Sequence, residues 1–319
     1  MAVKCPLCET PVAPGDSFCE ACGHPLGSPD CESCGASAVD AEGYCERCGV
    51  RQTTDRDHAE IVLDASGAAA VTDRGLRRAR NEDAMAMTPL EHPDDARTIP
   101  YGPTTIPAAG ANLPNVTPAT YGAEVGVAAV VCDGVGSSPR ADEASAAAVT
   151  AAAAALAEGR THEEAFALAS RAVGRLATSP DDAPACTYVA AVARPGEVTI
   201  CWAGDTRAYW LADVAAPGGG VRREGMLLTE DDSAPTGEIT AWLGADYPDV
   251  RPRIRTFTPP GPGLLLVCSD GLWRYLAGYR FPAAGPPIEQ ARQMLRHALD
   301  SGGHDNVTIA LIPLGGTHG

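Results

Sequence analysis

Basic residues are scarce in this chain of 319 residues, and long apolar runs are missing. Lysine and arginine together number 24 against 41 aspartates and glutamates, for a formal net charge of −17. A nucleic-acid partner needs a basic stripe that displaces counterions, and no such stripe is present. The longest apolar stretch lies within Ala146–Leu156 and is interrupted by Thr150. That is well short of the roughly 18 residues that span a bilayer. The opening Met1-Ala2-Val3-Lys4-Cys5 has no apolar signal core. A cytoplasmic protein is expected, with no membrane and no nucleic acid among its partners. At roughly 150 residues per domain the length suggests two folding units.

Cysteine usage marks the first unit. Eight of the 12 cysteines precede residue 50, as four Cys-x-x-Cys pairs: Cys5/Cys8, Cys19/Cys22, Cys31/Cys34 and Cys45/Cys48. Each has a counterpart 26 positions on (5 to 31, 8 to 34, 19 to 45, 22 to 48), which is an internal repeat. A two-residue gap lets two thiolates face one ion from a tight turn, and two such pairs close a tetrahedron. Two structural Zn²⁺ sites are therefore expected. Gly23, Gly35 and Gly49 each follow a pair, where the turn needs positive φ. Disulfides are disfavoured without a secretion signal, and a redox Cys-x-x-Cys usually comes once beside a βαβ pattern. A closed all-cysteine site leaves no open position for catalysis. Residues 1–50 carry only Lys4 and Arg47 against eight acids, so these pairs are poor nucleic-acid binders.

Residues 51–58 are mainly polar and read as a linker to a larger unit over 59–316. A proline-rich insertion runs from about Pro89 to Tyr121, too rich in proline for helix or central strand. Pro217-Gly218-Gly219-Gly220 reads as a short turn. Strands are expected at Ala68–Val71, Val125–Val131, Thr187–Val192, Val198–Ala203, Thr206–Leu211, Leu264–Val267 and Val307–Ile312. Helices are expected at Arg140–Ala157, from a Thr161/Glu164 capping box to about Leu176, and from Ile288 to the Gly302-Gly303 stop. Strands and helices are partly grouped rather than alternating, which favours α+β.

Four acidic clusters sit where apolar strands start or stop: Asn81-Glu82-Asp83, Asp133-Gly134, Asp270-Gly271 and Asp305-Asn306. A strand end is a rigid mount for a carboxylate. Carboxylates gathered at one place raise each other's pKa, and hard cations such as Mg²⁺ or Mn²⁺ relieve the repulsion. A single Asp-Gly is a common turn; the four together carry the weight. Cys132, Cys186, Cys201 and Cys268 lie in or beside apolar runs and read as small core residues, not nucleophiles.

Taken in order, the motifs resemble a known family. Thr72-Asp73-Arg74-Gly75 through Asn81-Glu82-Asp83-Ala84 is similar to its opening motif. Val131-Cys132-Asp133-Gly134-Val135-Gly136 is similar to its Asp-Gly-Met-Gly motif. Ala203-Gly204-Asp205-Thr206-Arg207, Ser269-Asp270-Gly271 and His304-Asp305-Asn306 follow in the family's order. The chain thus resembles the metal-dependent serine/threonine protein phosphatases of type 2C over about residues 60–314. Residues 1–50 resemble a double zinc ribbon, a module that commonly mediates protein contacts.

The resemblance implies a four-layer α-β-β-α sandwich, with two central antiparallel sheets flanked by helices, preceded by the small ribbon module. It implies that Asp133 bridges two Mn²⁺ or Mg²⁺ ions. Glu82 and the carbonyl of Gly134 would serve one ion, and Asp270 and Asp305 the other. Asp83 would hold metal-bound water, Arg78 would grip the substrate phosphate with its fork of donors, and Asp182 would take a weaker third ion. Attack by metal-activated water on phosphoserine or phosphothreonine follows, with no phosphoenzyme. Phosphorylated proteins are the implied partners, with a cognate serine/threonine kinase or its substrates as candidates for the ribbons. The chain departs from the pattern in four places, the first being Ala185-Cys186-Thr187 where the family has a Gly-Thr-Thr strand start. Ser137 replaces a glycine, Asp232 replaces a histidine, and the segment from Thr229 to Leu243 leaves little room for the family's flap. A catalytically inactive phosphoprotein-binding module and a hydrolase of small phosphoesters are the competing readings.

Overall fold

The computed structural model describes residues 3–5, 8, 10–12, 19–22, 31, 33–36, 39, 44–52, 56–90, 126–179, 182–215, 219 and 221–315. They form two compact units, Met1–Asp57 and His58–Gly319. In the first, strands β1 (Val3–Lys4) and β2 (Pro11–Val12) pair antiparallel. The N–H of Cys5, Cys31 and Cys45 each donates to the carbonyl five residues on, at 2.9 Å. Gly35 and Gly49 have φ of 68° and 70°, and each donates its N–H to the first cysteine of its turn at 2.7 Å. Only a residue without Cβ takes that conformation freely. Arg51 and Gln52, read as linker, are tied into this unit: Arg51 pairs with Asp57, and the Gln52 amide reaches Cys31 Sγ at 3.3 Å.

The second unit runs β3 (His58–Leu63), β4 (Ala68–Asp73), β5 (Ala84–Leu90), β6 (Gly126–Cys132), α1 (Ala141–Ala157), α2 (His162–Gly174), β7 (Ala185–Cys186) and β8 (Tyr188–Arg194). It continues β9 (Glu197–Ala203), β10 (Arg207–Ala215), β11 (Val221–Leu227), β12 (Leu243–Gly244), β13 (Arg253–Phe257), β14 (Gly263–Cys268), α3 (Asp270–Trp273), α4 (Pro287–Asp300) and β15 (Val307–Leu314). One antiparallel sheet has the order β11-β10-β14-β15-β4-β3 and the other β13-β9-β8-β6-β5.

Side-chain alternation builds the layers. In β6, Val127, Ala129 and Val131 join Val267, Ala310 and Ile312 between the sheets. Ala128, Val130 and Cys132 turn the other way, onto α1 and α2. In β14, Leu264 and Leu266 pack with Met294 and Leu295 of α4 on the outside of the second sheet. A strand buried on both faces reads as continuously apolar, as β6 does. The result is the expected four-layer α-β-β-α sandwich. The Thr161/Glu164 capping box is formed and opens α2.

Proline usage needs one correction. Pro89 lies inside β5, paired with Val127, not in an irregular stretch. The order of the sheet makes β5 an edge strand, and an edge tolerates a residue without N–H. The rest of the proline-rich segment to Tyr121 lies outside the described residues, as does most of the 217–220 turn. Strands β3, β5, β11, β12 and β13 and the one-turn α3 have no counterpart among the elements expected from the sequence.

Candidate functional site

Sheet register decides which residues can meet. Pairs Asp73 with Val307 and Cys268 with Ile309 bring the ends of β4 and β14 to the start of β15. Pairs Ala84 with Cys132 and Tyr188 with Ala203 bring the start of β5, the end of β6, the start of β8 and the end of β9 to one place in the other sheet. The connection from Asp73 to Ala84 joins the two groups. Each of the four acidic clusters lies on one of these ends.

Asp133 is pinned by its backbone. Its N–H donates to Thr187 Oγ1 at 3.0 Å, and its carbonyl accepts from the Thr187 N–H at 2.8 Å. Asp83 Oδ2 accepts from Ser269 Oγ and Thr308 Oγ1, both at 2.7 Å, while Oδ1 is buried with no partner. Asn306 acts as a bracket: Oδ1 accepts the Glu82 N–H, and Nδ2 donates to the carbonyls of Arg74 and Arg80, each at 2.8 Å. Ser145 Oγ donates to the Glu82 carbonyl at 2.6 Å. A Cβ at Gly134 would stand 2.8 Å from the Glu82 carbonyl oxygen and 2.9 Å from its Cβ, so glycine is what lets these two segments touch.

The electrostatics fit a cation site. Burial, then repulsion from Asp83, Asp270 and Asp305, pushes Asp133 well above the carboxylate range. Burial raises Asp83 to about 7, with Asp270 and Asp305 adding to it against the Thr308 and Ser269 hydrogen bonds. Asp270 and Glu82 are raised by burial and by Asp305. Two guanidiniums compensate in part. Arg78 Nη2 lies 2.8 Å from Asp305 Oδ2 and its Nη1 3.5 Å from Glu82, and Arg274 Nη2 lies 2.6 Å from Asp270 Oδ2. Clustered carboxylates, an orphaned buried oxygen and a backbone carbonyl make an all-oxygen donor set that suits Mg²⁺ or Mn²⁺.

Arg78, Glu82, Asp83, Asp133, Gly134, Asp270 and Asp305 therefore come together. Asp182 has other partners: its carboxylate accepts from Arg140 Nη2 at 2.8 Å and from Thr178. Asp205, of the Gly204-Asp205-Thr206-Arg207 motif, joins the set. It is buried, and its carboxyl is pushed up to about 6 by burial and by Asp270. The signal was there, since Asp205 follows apolar β9 as Asp133 follows β6. Asp232 fills the histidine position with a clamp: it accepts from the Gly204 N–H at 3.2 Å and from Arg253 Nε at 2.8 Å.

In the first unit the thiols form two groups. Cys5–Cys22 and Cys8–Cys19 sulfurs are 3.6 and 3.5 Å apart, and Cys31–Cys48 and Cys34–Cys45 both 3.6 Å. Within each set of four, all ligand atoms lie within 4.8 Å of one another. A tetrahedron with metal–sulfur bonds of about 2.3 Å has edges of about 3.8 Å, so both sets fit Zn²⁺.

Comparison with known proteins gives the same division. The sequence profile of the family described as Protein phosphatase 2C matches residues 119–303, more than half of the chain. The chain belongs to the protein phosphatase 2C family. By that membership it is a protein serine/threonine phosphatase. The profile described as Double zinc ribbon matches residues 5–49. The phosphatase match starts after Glu82 and stops before Asp305; the fold is what carries those residues to Asp133 and Asp270.

A sequence search of curated proteins found no match. Among solved structures, a bacterial serine phosphatase is 20% identical with a TM-score of 0.58, covering 79% of this chain and 99% of that one. The phosphatase MsPP of Mycobacterium smegmatis, in complex with cacodylate, is 22% identical with a TM-score of 0.54, covering 78% and 98%. The catalytic domain of the phosphatase PstP, in complex with two manganese ions, is 20% identical with a TM-score of 0.52, covering 81% and 98%. These likenesses concern the fold. Among the described residues no helix is long and apolar enough to cross a membrane.

Proposed function

We propose that the second unit hydrolyses phosphoserine and phosphothreonine in proteins with the help of two divalent cations, Mn²⁺ or Mg²⁺. Asp133, Glu82, the Gly134 carbonyl, Asp270 and Asp305 would hold them. The observation that carries this reading is the convergence of five buried or half-buried carboxylates with raised pKa values at one meeting of strand ends. When bound, the cations lower the pKa of water and offset phosphoryl charge. Arg78 binds the phosphoryl oxygens with its fork of donors. Asp83, with Oδ2 fixed by Ser269 and Thr308, offers Oδ1 as an acceptor to water in the site. A water molecule forms a new bond to phosphorus as the P–O bond to the side chain breaks, giving inorganic phosphate, and the departing oxygen takes a proton to become the free hydroxyl. No thiol nucleophile competes, because Cys132, Cys186, Cys201 and Cys268 are all buried. A third ion at Asp182 would have to displace Arg140 and Thr178. The manganese ions of PstP, a protein of the same fold, support the choice of metal.

We further propose that the zinc-held ribbons dock a phosphorylated protein, or the kinase that made it, and that the short, clamped segment at Asp232 shapes substrate choice. The test is phosphate release from p-nitrophenyl phosphate and a phosphothreonine peptide panel with Mn²⁺, with and without residues 1–57. Activity on the peptides is expected, and failure on both substrate types defeats the proposal. Asp270→Asn should abolish turnover while circular dichroism stays unchanged.

A further inference from the structure

Arg78 is not the one arginine at the acidic cluster. Arg274 Nε donates to Asp270 Oδ2 at 2.9 Å and its Nη2 lies 2.6 Å from the same oxygen, much as Arg78 Nη2 donates to Asp305 Oδ2 at 2.8 Å. Both side chains are accessible, Arg274 at 56% and Arg78 at 39%. Nη1 of Arg274 has no partner among the described residues. We propose that Arg274 is a second guanidinium for the substrate phosphoryl group, working beside Arg78. The proposal rests on the two-cation reading above.

Placement argues for a built position. Arg274 closes the one-turn helix α3, with its N–H on the Asp270 carbonyl at 3.2 Å. Its neighbour Trp273 is anchored by an indole N–H to the Asp205 carbonyl at 2.8 Å. The Arg274 guanidinium carbon lies 5.4 Å from the Trp273 ring centroid, within range of a cation–π attraction. Arg207, stacked on the same ring at 3.6 Å, is unavailable: Asp231 takes Nε and Nη2, and Tyr209 takes Nη1.

Charge supplies the mechanism. Asp270 and Asp305 repel each other, and each has recruited one guanidinium. Once cations neutralise these carboxylates, the pull on each guanidinium weakens with the charge it faces. Both arginines, already accessible, would then have donors to offer a phosphoryl group. A planar fork of donors matches phosphoryl oxygens better than an ammonium does.

The test compares full-length wild type, Arg274→Gln and Arg274→Lys, all loaded with Zn²⁺ and Mn²⁺. Calorimetry reads the affinity for inorganic phosphate and for a peptide with neutral flanks that carries a non-hydrolysable phosphonate in place of phosphothreonine and, on protein stripped of Mn²⁺, the affinity for Mn²⁺. Arg274→Gln should weaken phosphate and peptide binding about tenfold or more, as expected for loss of a charge-assisted hydrogen bond, and leave Mn²⁺ affinity within about twofold. Arg274→Lys should fall between. Unchanged phosphate affinity would overturn the proposal. So would a matching loss of Mn²⁺ affinity, which would make Arg274 a positioning residue for Asp270, or an effect seen only with acidic flanking residues. If the glutamine variant does not fold, the lysine variant decides by the same two affinities. Failure of the underlying reading looks different: wild type itself would bind neither Mn²⁺ nor phosphate.

Discussion

Arg78 and Asp305 stand 227 positions apart in sequence, yet Nη2 of one lies 2.8 Å from Oδ2 of the other. Arg78 is thereby held at the cluster with its charge raised in persistence by Asp305. If it grips phosphate, the planar fork matters and not the charge alone. Arg78→Lys should then lower kcat/KM on a phosphothreonine peptide about ten- to hundredfold, mainly through KM, as expected for about 1.5–3 kcal/mol of charge-assisted bonding. Steady-state kinetics on the two proteins check it; an unchanged KM would remove Arg78 from phosphate binding.

Stability should depend on pH in a direction that cations reverse. Burial raises Asp83 to about 7 and Asp205 to about 6. A carboxyl raised on folding stabilises the fold below its unfolded value near 4 and loses that contribution as pH climbs through the folded value. Protein carrying Zn²⁺ but no Mn²⁺ should therefore melt several degrees lower at about pH 7.5 than at about pH 5. Added Mn²⁺ should restore the loss at the higher pH. All 4 tryptophans lie within His58–Gly319, so their fluorescence reports this unit alone. A melting temperature that rises with pH in the absence of Mn²⁺ contradicts the argument.

Asn306 holds three backbone groups from the Arg74–Glu82 connection. Asn306→Ala leaves those groups without it in a buried setting. The expected cost is about 2–4 kcal/mol of stability, from several lost hydrogen bonds. Because Glu82 is among the groups held, Mn²⁺ affinity should fall about tenfold or more. Denaturant melts and a Mn²⁺ titration read the two effects. Stability lost with Mn²⁺ affinity intact would show that Glu82 needs no bracket.

These networks explain which parts of the molecule were legible beforehand. The buried strands β6, β14 and β15 announced themselves because both faces are covered. Asp133 and Asp270 were legible because each directly follows such a strand. The exposed edge strand β11 has no apolar pattern to read; its partner β10 creates it through backbone pairing. Pro89 misled because proline disfavours a central strand, and only the sheet order shows that β5 is an edge. The bracket at Asn306 and the pairing of Arg274 with Asp270 depend on where distant strand ends arrive or on which way a side chain turns. The first is not a property of local sequence; the second is an i,i+4 spacing that the sequence carries, and the structure adds the direction of the side chain.

The two four-cysteine clusters should not hold Zn²⁺ equally well. Gln52 is buried at 8% exposure, and Nε2 donates to Cys31 Sγ at 3.3 Å and to the Val50 carbonyl at 3.1 Å. The repeat of 26 positions puts Leu26 at the matching place in the first cluster, a side chain with no donor. A donor to a metal-bound thiolate fixes its orientation and spreads its charge, and losing such a partner typically costs about ten- to hundredfold in metal affinity. Gln52→Leu should therefore accelerate zinc release from the Cys31/Cys34/Cys45/Cys48 cluster and leave Cys5/Cys8/Cys19/Cys22 unchanged. Release into a chromophoric chelator, followed in Gln52→Leu and in a Cys5→Ser background that isolates the second cluster, gives the two rates. Equal rates with and without the glutamine amide would show that this hydrogen bond contributes nothing to zinc retention.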